Sequence, residues 1–240
     1  MFADRRVLAV VPARGGSTGI KLKNLRKLGG VPLVARAGHV AQALDFVDRA
    51  VVSTDHDEIA RVASAAGLAV PFMRPEHLSG PTVADWDVLV HALTEVERLD
   101  GCAYEIVVML QPTSPLRTPE QVRQAVALLV EGGHDAVWTV SETDSKAHPL
   151  KQLVLAGDGT LALYDPAGAQ VVARQQLAAV YHRNGIAYAM TRSCLTEQKT
   201  IMGRRTAGLV IEGPVANIDT ELDLEWAEFL LAREGRQIGA

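Results

Sequence analysis

Residues 13–24 read ARGGSTGIKLKN, a loop that gathers Arg14, Lys21 and Lys23 around Gly15, Gly16, Ser17 and Gly19. Adjacent glycines let backbone N–H groups face a ligand with no side chain in the way. The apolar run before the loop, residues 7–11, reads as a buried strand. A strand that ends in a Gly-rich cationic loop is a place to hold phosphates, and the same residues also describe an ordinary basic, solvated βα loop. The spacing is neither G-x-x-x-x-G-K-[ST] nor G-x-G-x-x-G, and no acidic residue follows at the distance a ribose needs. P-loop NTPases and dinucleotide-binding dehydrogenases are therefore poor fits.

Two further segments carry chemistry. In residues 111–117, QPTSPLR, an apolar strand delivers Gln111 to its carboxyl end. A side-chain amide there can read a base or a sugar through its paired donor and acceptor, or the stretch is simply a rigid turn in which Thr113 and Ser114 satisfy backbone groups. In residues 217–223, NIDTELD, Asp219 is placed to bind a divalent cation, or else Asp219 or Thr220 simply caps the last helix. Arg74, beside Pro75, meets a base or a phosphate, or is a surface arginine. His182 is as readily structural as catalytic, and the segments around Lys151 and Arg174 read as solvated surface.

The elements that must position these residues follow from periodicity. Strands are expected at 7–11, 50–54, 68–72, 106–110 (fully apolar) and 136–140, with helices at 33–44, 57–66, 84–99 and 118–130 between them. Asp55 is available to cap the second of those helices, and Pro119 stands in the first turn of the fourth. Repeated βα units with continuous apolar strands imply a mostly parallel sheet with helices on both faces, whose ligands sit at the carboxyl ends of the strands. The pattern breaks after residue 141. Strand-like pieces at 151–155 and 161–164 flank Gly157-Asp158-Gly159 and read as an antiparallel insertion. Asn184 and Gly185 read as a turn before a strand at 185–190, and a last unit pairs strand 209–211 with helix 221–233.

The composition bounds the class. At 240 residues, 48% hydrophobic and 22% charged, the chain suits one soluble α/β domain or a domain with an appendage. A formal net charge of −4 leaves no basic excess for a nucleic-acid backbone. Two cysteines without CxxC spacing exclude a disulfide framework and a Cys-rich zinc site. No apolar run has the length to span a bilayer, and the short apolar stretch near the N-terminus makes a poor signal peptide, so a cytoplasmic location is expected.

Together ARGGSTGIKLKN, Ser53-Thr54-Asp55, Arg74-Pro75, QPTSPLR, His148-Pro149-Leu150-Lys151, Arg174-Gln175-Gln176, Arg183-Asn184-Gly185 and NIDTELD resemble the acylneuraminate cytidylyltransferase family, the CMP–sugar-acid synthetases. The segments stand in family order across almost the whole chain. The resemblance implies a Rossmann-like nucleotidyltransferase that joins CTP to a nonulosonic, sialic-acid-like sugar acid, releases pyrophosphate and needs Mg²⁺ or Mn²⁺. It places Arg14, Gly15, Gly16, Ser17, Lys23, Asn24, Arg74 and Asp85 on the nucleotide, with Arg14, Lys23 and Asp219 as the catalytic set. Gln111, Lys151 and Arg174 fall on the sugar acid, and Asp219 with Asn217 on the metal. It implies a homodimer in which residues 142–178 form the dimerisation insertion and lend Lys151 and Arg174 to the partner's site. Residues 1–141 and 179–240 then form the catalytic domain.

Two positions depart from the family pattern. Thr18 stands where the loop usually carries Lys, and Asn217 stands where an acid usually precedes Asp219. Asp85-Trp86-Asp87 replaces the small hydroxyl residues of many sialate enzymes and points to a different acid. The readings left open are activation of another acid, such as a Kdo-like keto-deoxy acid, and a non-catalytic nucleotide-binding protein.

Overall fold

The computed structural model describes residues 1–17 and 19–238, with side chains through residue 233. In chain order its elements are β1 (Val7–Pro12), β2 (Lys27–Leu28), β3 (Val31–Pro32), α1 (Leu33–Gln42), β4 (Arg49–Ser53), α2 (Asp57–Ala65), α3 (Asp85–Asp100), β5 (Ile106–Met109), α4 (Pro119–Glu131) and β6 (Ala136–Glu142). There follow β7 (Leu153–Leu155), β8 (Leu161–Leu163), β9 (Tyr181–Thr191), α5 (Arg192–Thr196), β10 (Thr206–Val210) and α6 (Glu221–Ile238). The chain divides into two compact units, Met1–Thr139 with Asn184–Ala240, and Val140–Arg183.

The central sheet has six strands in the order β10-β6-β9-β5-β1-β4. β1 pairs in parallel with β4 and β5, while β9 runs antiparallel to β5. The expected mostly parallel sheet is present. Side chains of β1 alternate between its faces, as a strand's two-residue period requires. Val7, Ala9 and Val11 pack with Val34 of α1, Ile59 of α2 and Val126 of α4. Leu8 and Val10 pack with Leu89 and Leu93 of α3 and Cys194 of α5. Helices therefore cover both faces, and β1 is buried on both sides. α4 opens with a capping box, Thr118 with Gln121, and carries Pro119 at its first position.

Three expectations need correction. Residues 68–72 form no strand, only a single bridge between Ala69 and Val51. Pro71 has no N–H to extend the ladder. Asp55 does not cap α2: the N-cap is His56, without a side-chain bond, and Asp55 turns to the Gly-rich loop. Asn184 and Gly185 are not a turn before a strand but lie within β9, where Gly185 takes φ +75°. In the second unit β7 and β8 pair antiparallel, Leu153 opposite Leu163, as the apolar pieces flanking Gly157-Asp158-Gly159 suggested.

Candidate active site

β4, β1 and β5 are parallel neighbours, so the loops after Ser53, Pro12 and Met109 open at one edge of the sheet. That edge holds a cavity of about 510 Å³. Arg14, Ser17, Lys23, Asn24, Arg74, Asp85, Gln111 and Asp219 all line it, joined by Gly19, Gly80, Pro81, Val83 and Thr113. Segments more than 200 residues apart in sequence thus meet at one place.

The Gly-rich loop is held from behind. The Gly15 N–H donates to Asp55 Oδ1 at 2.8 Å, and the Asn24 side-chain amide donates to the Arg14 carbonyl at 2.9 Å. Gly15 therefore spends its N–H on the protein, and neither Gly15 nor Gly16 is among the lining residues. Gly19 is glycine for a separate reason: a Cβ there would run into the backbone carbonyl of Asp219. This close approach lets the loop and the segment before α6 share one wall. Thr18 lies outside the described residues.

Asp219 is released from capping by its neighbour. Thr220 Oγ1 accepts from the Asp223 N–H at 3.3 Å, and Asp223 Oδ2 accepts from the Thr220 N–H at 2.7 Å and the Asp219 N–H at 3.0 Å. Asp223 thus closes the start of α6. Burial alone would raise its pKa, but these hydrogen bonds prevail and hold it below the ordinary carboxylate range. Ile218 is fully buried with Leu28, Leu33 and Leu224, and its N–H donates to the Thr113 carbonyl at 2.8 Å. The Asp219 carboxylate is left exposed, with Oδ1 2.8 Å from Lys23 Nζ.

Arg74 is no surface arginine. Only 6% exposed, it donates through Nε to Ser53 Oγ at 3.0 Å and through Nη2 to the Ser53 carbonyl. Burial pulls its pKa down to about 10, so it remains a cation at neutral pH. Opposed to it in charge is Asp85, the first residue of α3, whose Oδ2 accepts from Gln111 Nε2 at 3.4 Å. The Trp86 indole donates to the Leu195 carbonyl at 2.9 Å and anchors the first turn of α3.

The cavity does not gather every expected residue. Asn217 is exposed and not among the lining residues. Lys151 and Arg174 belong to the second unit and do not line this cavity. Among the described residues no three His, Cys, Asp or Glu side chains cluster to hold a metal ion. Asp55, expected only as a helix cap, instead holds the Gly15 N–H, and Asp223, which carried no expectation, braces the start of α6.

A protein-family model described as cytidylyltransferase matches residues 8–224. The chain belongs to this cytidylyltransferase family. The match covers the whole cavity wall, from the strand before the Gly-rich loop to the start of α6. A CMP-N,N'-diacetyllegionaminic acid synthase of Legionella pneumophila is 31% identical over 92% of this chain and 94% of its own. N-acylneuraminate cytidylyltransferase A of Danio rerio is 29% identical over 93% of this chain, which spans 50% of that protein. The solved structure of CMP:2-keto-3-deoxy-manno-octonic acid synthetase complexed with CTP shares the cytidylyltransferase fold seen here, with TM-score 0.70, 20% identity, 95% of this chain and 99% of that one.

Proposed function

We propose that this cytidylyltransferase joins CTP to a nonulosonic acid, giving the CMP-sugar and pyrophosphate. One observation carries the reading: the cationic glycine loop, the Arg74–Asp85 wall, Gln111 and Asp219 all line one cavity in a chain whose full-length relative is named a CMP-legionaminic acid synthase. Arg14 and Lys23 neutralise the triphosphate. Arg74 and Asp85 offer a donor and an acceptor to the nucleobase. Gln111 meets the sugar acid.

In the reaction an anomeric hydroxyl oxygen bonds to the α-phosphorus, the bond from that phosphorus to the bridging β-phosphate oxygen breaks, and the hydroxyl proton passes to water. Negative charge grows on the departing pyrophosphate, where Arg14 and Lys23 stabilise it. Mg²⁺ favours one or two protein carboxylates completed by substrate phosphate oxygens, and the exposed Asp219 beside the phosphate loop suits that donor set. When bound, the cation supplies further stabilisation of the phosphate charge. Asn217, exposed and not among the lining residues, is left out of this assignment.

The second unit is assigned to homodimerisation. Its hairpin exposes Leu153, Leu155 and Leu161, apolar groups that a second copy would cover. On this reading Lys151 and Arg174 serve the partner's sugar-acid site. No helix among the described residues is long and apolar enough to cross a membrane, in keeping with action in the cytoplasm.

The test is pyrophosphate release with Mg²⁺ from each of the four nucleoside triphosphates, over N-acetylneuraminic acid, N,N'-diacetyllegionaminic acid and 2-keto-3-deoxy-manno-octonic acid. Turnover confined to CTP and a nonulosonic acid is expected. Turnover with the octonic acid alone, or CTP binding without turnover on any acid, overturns the reading.

A further inference from the structure

Gln111 points its chemistry into the cavity, yet the residue that fixes its backbone lies one layer behind the lining. Arg117 is 5% exposed. Its Nη2 donates to the carbonyl of Gln111 and, at 3.2 Å, to the carbonyl of Gly185. One nitrogen therefore ties the loop after β5 to β9. Ser114 reinforces the tie: its N–H donates to the Gln111 carbonyl at 3.2 Å, and its Oγ donates to the Asn184 carbonyl at 3.1 Å.

Gly185 completes the fit. An added Cβ there would sit 2.5 Å from Ser114 Oγ and 3.3 Å from Gln111 Oε1. The Gln111 carbonyl is thus held by two donors, and its side-chain oxygen rests against a backbone with no room for a side chain.

A role in stability alone would not favour arginine here. Nε and Nη1 find no partner among the described residues, and burial pulls the guanidinium pKa down to about 9. A buried cation so sparsely paired is usually outdone in stability by a well-packed apolar side chain of similar volume. What arginine adds is one rigid donor that reaches two carbonyls at once, and a positive charge one layer behind Gln111.

We infer that Arg117 is a positioning residue for the sugar-acid side of the reaction: through the Gln111 and Gly185 carbonyls it sets the direction of the Gln111 amide and leaves the nucleotide side untouched. The inference rests on the assignment of Gln111 to the acid.

The experiment compares Arg117→Met and Arg117→Lys with the wild type, measuring KM for CTP and for N,N'-diacetyllegionaminic acid, or whichever acid of the panel the wild type uses. Misplacing a contact group by a fraction of an ångström costs heavily, so Arg117→Met is expected to raise the acid KM by about tenfold or more. The KM for CTP should stay within about twofold, and Arg117→Lys, which reaches one carbonyl, should fall between. Equal changes in both KM values, or a lower melting temperature with neither KM changed, would overturn the inference. If Arg117→Met does not fold, Ser114→Ala removes the link to Asn184 under the same readout. A rise of about threefold confined to the acid supports the inference, and an unchanged acid KM overturns it. A wild type that turns over no acid overturns the parent assignment and this one with it, before any variant is compared.

Discussion

Lys23 Nζ stands 2.8 Å from Asp219 Oδ1, joining the Gly-rich loop to the start of α6 across 196 residues of sequence. The lysine is largely sheltered, at 16% side-chain exposure, while the carboxylate is open at 68%. The two groups neutralise one another in a cavity lined also by Arg14 and Arg74. On the proposed reading a triphosphate would bring negative charge for the lysine and a divalent cation positive charge for the aspartate. Binding both together would exchange one internal ion pair for two charge-matched contacts. Asp219→Asn should therefore shift the Mg²⁺ titration to higher concentration and slow turnover by about 10²-fold, while Lys23→Met should lower kcat/KM for CTP by a similar factor. Steady-state rates over a Mg²⁺ titration check both, and unchanged metal dependence in Asp219→Asn would remove Asp219 from the site.

Gly19→Ala tests the close approach of the loop to the Asp219 carbonyl. The added methyl has no flexible side chain to displace, only backbone. A loss of about 1–3 kcal/mol in stability is expected, together with weaker CTP binding. Thermal melting with and without CTP separates the two effects. Gly16→Ala, where nothing lies within 4 Å of the added Cβ, is the matched control and should leave stability nearly unchanged.

Asp55→Ala should act at a distance. It removes the acceptor of the Gly15 N–H and leaves the cavity lining intact. Losing a hydrogen bond to a charged acceptor costs about 1.5–3 kcal/mol, here felt as a looser Gly-rich loop. A raised Kd for CTP by calorimetry, with folding retained, is the expected outcome. Unchanged affinity would mean the loop keeps its shape without Asp55.

The start of α6 has its own pH signature. The Asp223 pKa is lower in the folded protein than in the unfolded chain, because its hydrogen bonds to Thr220 and Asp219 outweigh the opposing effect of burial. A depressed carboxylate stabilises above the unfolded pKa, and that contribution is lost as pH falls through the ordinary carboxylate range and below. Asp223→Ala should cost about 0.5–2 kcal/mol at neutral pH, and the difference from wild type should shrink on acidification. Denaturant melts at a series of pH values measure it. A difference that does not change with pH would mean that the carboxylate charge plays no part in the cap.

Much of this architecture was legible because β1 and β5 are continuous apolar runs that end in chemically distinctive loops. Arg14 and Gln111 follow strand ends and Asp219 directly precedes the last helix, placements that need no tertiary knowledge. What escaped involves choices that local rules leave degenerate. Asp55 sits where a helix cap belongs, and only the fold brings Gly15 within 2.8 Å of it. Of the two caps the sequence offers before α6, Thr220 takes the role: its Oγ1 accepts the Asp223 N–H while Asp223 accepts the Thr220 and Asp219 N–H groups. Arg183-Asn184-Gly185 carries a turn's residues, yet the positive φ of Gly185 is absorbed inside β9, where Ser114 and Arg117 hold it. Residues 68–72 have a strand's composition, but Pro71 stops the pairing after Ala69.

The most direct measurement is ³¹P NMR of the protein with CTP, Mg²⁺ and N,N'-diacetyllegionaminic or N-acetylneuraminic acid. A new phosphodiester resonance from the CMP-sugar, growing in equal amount with pyrophosphate and at the expense of CTP, is the result expected here. CTP that persists unchanged with every nonulosonic acid, or is hydrolysed to other phosphates without a phosphodiester, would contradict the account.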